Sequence, residues 1–96
     1  MAIPSIVAHR RAEILQIAAK HGVQRIRVFG SVARGEAQPD SDVDFLIEVG
    51  PRHSAFFPGG LVVDLEALLG RRVDVVEPEG LAAPLKARVL NEAVPL

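Results

Sequence analysis

Gly30-Ser31, ten intervening residues, and then Asp42-Val43-Asp44 form the stretch of this sequence best suited to chemistry, with a further acid, Asp74, downstream. If Asp42 and Asp44 lie on a β-strand, the alternation of side chains sends both to one face, with Cα atoms roughly 6.5–7 Å apart. Carboxylates so placed can converge on one hard cation or a close pair. Magnesium suits them, because it takes oxygen ligands octahedrally and usually keeps waters while accepting one or two carboxylates plus substrate phosphates. Without a cation the two acids repel each other, which costs stability or raises a pKa. A bound divalent ion reverses that effect.

Gly30-Ser31 stands where a strand should give way to a helical turn. Glycine lets a phosphate approach the backbone closely, and free N–H groups at a helix start favour an anion. Ser31 adds a hydroxyl donor, and Arg34, one turn later, can reach the same phosphates. A phosphate cradle lying a short loop from a metal-binding strand is what holding a triphosphate against magnesium requires. Asp74 lies in Arg72-Val73-Asp74-Val75-Val76, where burying an unpaired carboxylate would be expensive. Beside the second strand it becomes a third metal ligand or a general base for the acceptor's proton.

Each signal also has an ordinary reading. A Gly-Ser after a strand is usually only a turn. Ser-Asp-x-Asp can be a capped or solvated strand entrance, and a lone Asp74 more often pairs with Arg71 or Arg72. The combination in this order is far more specific than its parts. His9, His21 and His53 read as surface residues, and Arg71-Arg72 as a solvated edge. Phe56-Phe57 is either a flap tucked onto the core or an exposed contact patch, with packing favoured.

The elements that must position these residues follow from periodicity. From Pro4 to about His21, Ile6, Val7, Ile14, Ile17 and Ala18 recur near helical spacing, with Pro4 in the first turn and Gly22 past the end. Gln24 to Phe29 alternates as a strand, and Val32 to Gly35 forms a helical turn with Ser31 as its N-cap. Glu36 to Ser41 is a loop. Val43 to Val49 is the second strand, with Phe45, Ile47 and Val49 on one face. Arg52 to Gly60 is a long loop, Leu61 to Leu69 an amphipathic helix closed by Gly70, and Val73 to Val76 a third strand. Leu81 to Val94 holds a last helix with Leu85, Val89 and Leu90 facing inward. The resulting α-β-α-β-α-β-α order predicts one small α/β domain over residues 1–96, a sheet with helices packed on it.

Composition narrows the function classes. The 96 residues are 49% hydrophobic with four aromatics, all Phe, so an aliphatic core is expected. A net charge of −1 argues against a general nucleic-acid binder, which would show a strongly basic face. The absence of cysteine removes disulfides, zinc–thiolate sites and thiol catalysis. His9-Arg10-Arg11 interrupts the first apolar stretch, so no signal peptide is read there. No run approaches the roughly 20 apolar residues that span a bilayer, and a cytoplasmic location is expected.

These blocks resemble the DNA polymerase beta-like nucleotidyltransferase superfamily, in its minimal branch. The matching words are Gly30-Ser31-Val32-Ala33-Arg34-Gly35, Ser41-Asp42-Val43-Asp44-Phe45-Leu46-Ile47 and Gly70-Arg71-Arg72-Val73-Asp74-Val75-Val76, with a less specific ending at Leu90-Asn91-Glu92-Ala93-Val94-Pro95-Leu96. The resemblance implies a small mixed sheet flanked by helices. It implies nucleotide phosphates on Gly30 and Ser31, two magnesium ions on Asp42 and Asp44, and Asp74 as third carboxylate. Minimal members often act as antitoxins of all-helical HEPN-type ribonuclease toxins, transferring AMP from ATP to a toxin tyrosine. An antitoxin that only docks, or a stand-alone enzyme acting on a small molecule or a nucleic-acid end, are the rival expectations. A chain this short has no room for a second, acceptor-binding domain, so the acceptor surface is expected from a partner or an oligomer.

Overall fold

The computed structural model describes residues 5–51 and 57–96. Its elements run α1 (Ser5–Ala8), α2 (Arg11–Lys20), β1 (Val23–Phe29), α3 (Gly30–Arg34), β2 (Val43–Val49), α4 (Gly59–Leu69), β3 (Val73–Val76), a 3-10 turn at Pro78–Gly80, α5 (Ala83–Glu92) and β4 (Val94–Pro95). The strands form one mixed sheet in the order β3-β2-β1-β4. β1 runs antiparallel to β2 and β4, and β2 runs parallel to β3.

Period-two patterning makes one sheet face apolar. Ile26 and Val28 of β1, Val43, Phe45 and Ile47 of β2, and Val73 of β3 are buried, and they join Ile14 and Ala18 of α2 and Leu61 and Leu65 of α4 in a single core. Val49 packs against this core from its margin. Phe45 is fully buried, and truncating such a ring to alanine typically costs about 3–5 kcal/mol. Residues of opposite parity, Asp44 and Glu48 in β2 and Asp74 in β3, belong to the second face, together with a buried Leu46.

The helical expectation for Pro4 to His21 holds in kind but not in continuity. The chain turns at His9 and Arg10 between α1 and α2, although neither residue is a helix breaker, and Pro4 lies outside the described residues. Ser31 is not the N-cap of α3. The helix starts two residues earlier than expected, at Gly30, and extended Phe29 takes the cap position. Gly35, at φ +74°, ends it in the left-handed conformation. The last helix stops at Glu92, because the chain enters β4 and pairs Val94 with Val28. Of its three expected inward residues only Val89 is buried; Leu85 and Leu90 are exposed.

Arg71 is not a solvated edge either. Its Nη1 donates to the carbonyls of Gln38 (3.2 Å) and Ser41 (3.3 Å), tying down the loop that precedes Asp42. His21 is a buried residue, 6% exposed, with Nε2 at 2.7 Å from Asp64 Oδ2. Phe57 packs against the core, whereas His53 and Phe56 lie outside the described residues. No helix among the described residues is long and apolar enough to cross a membrane.

Candidate active site

β2 and β3 bring two of the predicted acids side by side. Asp44 and Asp74 are register partners in the parallel pair, on strands that lie about 4.8 Å apart in any sheet. Asp42 precedes β2 by one residue, so it shares Asp44's parity. The strand pairing therefore sets the three acids toward one end of the sheet.

Their proximity is electrostatic as well as topological. The Asp44 carboxyl is pushed above its ordinary value, first by burial and then by the charges of Asp74 and Asp42, with Arg34 pulling the other way and Glu92 adding a smaller push. This is the signature of crowded carboxylates without a counter-ion. A hard divalent cation is the group that such a donor set fits.

Among the described residues no three acids or histidines are placed to hold a metal ion as they stand. Asp42 Oδ1 is turned to Arg72 Nε at 3.1 Å. Both side chains are largely exposed, and an ion pair of that kind is worth about 0–1 kcal/mol. A divalent cation can outbid it. Arg72 thus pairs with Asp42, rather than with Asp74 as the ordinary reading of that strand proposes.

Gly30 opens the wall opposite. It adopts φ +75°, and a Cβ built there would collide with Asp44 Oδ2 and lie 3.2 Å from its Cγ. Glycine is required twice over, by conformation and by contact. Phe29, the residue before it, pairs with Asp44 across β1 and β2. The Gly30-Ser31 corner and the acid pair are consequently one site. Ser31 follows in the first turn of α3, half-buried.

Arg34 closes α3 and is not free. Its Nε donates to Glu36 Oε1 at 2.8 Å, and its Nη1 donates to Glu92 Oε2 at 3.0 Å and Oε1 at 3.2 Å. These hydrogen bonds, Glu36's first, raise the guanidinium pKa further. Glu92 Oε1 also accepts the Gly30 N–H at 3.1 Å. Sequence reasoning had no access to Glu92, because only the pairing of β4 with β1 folds the chain's end back onto the corner.

Comparison with known proteins fits this arrangement. A family model for the nucleotidyltransferase domain matches residues 11–96, nearly the whole chain and all of the site. The chain belongs to that family. This nucleotidyltransferase is 41% identical over 92 residues to the protein adenylyltransferase MntA of Thermococcus cleftensis, covering 96% of this chain and 90% of the relative. It is 43% identical over 84 residues to the Methanocaldococcus jannaschii protein MJ0435, covering 88% of this chain and 90% of the relative. A solved minimal nucleotidyltransferase superposes with a TM-score of 0.82 at 47% identity, over 100% of this chain and 97% of the other. A chain of a solved toxin–antitoxin with AMP-PNP shares the fold, with a TM-score of 0.72 at 21% identity over 88% of this chain and 69% of that one.

Proposed function

We propose that this nucleotidyltransferase transfers AMP from ATP to a protein hydroxyl, a tyrosine of a HEPN-type toxin, and so acts as the antitoxin of that pair in the cytoplasm. The single observation that carries the reading is the corner itself: Gly30 pressed against Asp44, with Asp74 in register beside it. The names of the relatives support it. One is a protein adenylyltransferase, and a protein of the same fold was solved in a toxin–antitoxin with a nucleotide analogue.

In this reading the acceptor oxygen attacks the α-phosphorus in line with the leaving pyrophosphate. One P–O bond forms, the bond from the α-phosphorus to the oxygen bridging it to the β-phosphate breaks and pyrophosphate leaves, and the acceptor's proton passes to the Asp74 carboxylate or to water. Gly30, Ser31 and Arg34 hold the phosphates, so the protein contributes mainly positioning. Asp42, Asp44 and Asp74 would hold magnesium, two ions in the fullest arrangement, which when bound lowers the acceptor's pKa and stabilises charge on the departing pyrophosphate. Asp74, exposed on the edge strand β3, is open to an entering hydroxyl. In this reading a partner protein brings the acceptor hydroxyl to the site.

The test is to mix the purified chain, a candidate HEPN-type toxin, ATP and magnesium, and weigh the toxin intact. A gain in whole AMP units, lost in an Asp44→Asn chain, is expected. An unchanged toxin mass with inhibition retained identifies a docking antitoxin instead, and transfer to a small molecule or a nucleic-acid end identifies a stand-alone enzyme.

A further inference from the structure

Glu92 ends α5 and is followed after one residue by β4, whose Val94 pairs with Val28 of β1. That short connection carries a carboxylate from the far end of the chain to the α3 corner. There it does two things at once, accepting the Gly30 N–H through Oε1 and the Arg34 Nη1 through both oxygens. Glu36 takes Nε of the same guanidinium. A guanidinium is a rigid planar fork of five N–H donors, so anchoring two of its nitrogens fixes the third. Among the described residues Nη2 has no hydrogen-bond partner. Arg34's charge nevertheless reaches the acids, since it pulls the Asp44 carboxyl down against its other neighbours.

We propose that Glu92 is a positioning residue for the nucleotide: it clamps Arg34 so that Nη2 is left for the triphosphate, and with the same carboxylate fixes the backbone of the Gly30 corner. The inference rests on the reading of Gly30, Ser31 and Arg34 as the phosphate site and deepens it. The exposed Arg34–Glu36 pair is worth little by itself, whereas the half-buried Glu92 ties the guanidinium to the backbone of the corner.

Calorimetric titration of ATP with magnesium tests this without knowledge of the acceptor. Glu92→Ala is expected to weaken ATP binding about tenfold, the usual scale for a charge-assisted hydrogen bond lost. Glu92→Gln, which keeps an acceptor for both Gly30 and Arg34, recovers most of the affinity. In an Arg34→Ala background, Glu92→Ala adds less than about twofold, because contacting residues that act together are not additive. Should Glu92→Ala fail to fold, Glu92→Asp withdraws the carboxylate by one methylene in a folded chain and is expected to weaken ATP at least about threefold. Wild-type affinity in the folded alanine or aspartate variant overturns the inference, and so does a Glu92→Ala effect that persists undiminished without Arg34. A wild-type chain that takes up no ATP overturns the nucleotide reading itself, and Glu92's role with it.

Discussion

Asp44 carries its negative charge at a cost to the metal-free fold. Its folded pKa is raised above the ordinary 3.8, so the native state holds that proton more tightly than the unfolded chain does. The penalty is absent below the ordinary value, grows as pH rises through the raised one, and is complete above it. Asp44→Asn is therefore expected to melt at the same temperature as wild type or higher in metal-free buffer at neutral pH, with the difference vanishing in acid. Added magnesium should stabilise wild type and not the variant. A metal-free variant clearly less stable than wild type at neutral pH would remove the crowding argument. Gly30→Ala acts on the same contact from the other side. The left-handed backbone alone costs a side chain about 1–2 kcal/mol, and the new Cβ must push the Asp44 carboxylate away. Loss of ATP binding together with lowered stability in urea is expected, and an alanine variant that binds ATP normally would show that the corner tolerates a side chain.

At the scale of elements, much of the architecture could be read from the chain because local chemistry announced it. The β-branched runs Val43 to Val49 and Val73 to Val76 alternate polar and apolar or carry dense apolar content, and each ends where expected. The parity argument for Asp42 and Asp44 needed only that β2 be a strand. Their neighbour Asp74 was placed by the parallel register of β3 with β2, which no single strand encodes. β4 was invisible for the same reason: two residues have no periodicity, and Val94 becomes a strand only because Val28 pairs with it. His21 looked like a surface residue at a helix end, yet it is buried because Asp64, 43 positions later on α4, supplies a partner. The carboxyl of Asp64 is held below its ordinary value by the His21 hydrogen bond and then by Lys20. A depressed acid pKa stabilises above the unfolded value and is lost as pH falls through the folded one. Asp64→Ala should accordingly lower the melting temperature at neutral pH and match wild type in strong acid; an equal deficit at both would mean that packing, not charge, links α2 to α4.

Across the whole molecule, one small sheet divides its labour by face. The apolar face binds α2 and α4 into the core, and the other carries the acids. In the proposed reading, Asp42, Asp44, Asp74 and the Gly30-Ser31 corner make one metal–nucleotide site. Crystals of the chain grown with manganese and a non-hydrolysable ATP analogue test it most directly, through the anomalous difference density. A manganese peak is expected between the carboxylates of Asp42 and Asp44, with Asp42 released from Arg72 and the phosphates on Gly30 and Ser31. An ordered analogue bound elsewhere, with Asp42 still paired to Arg72 and no peak at the acids, would contradict it.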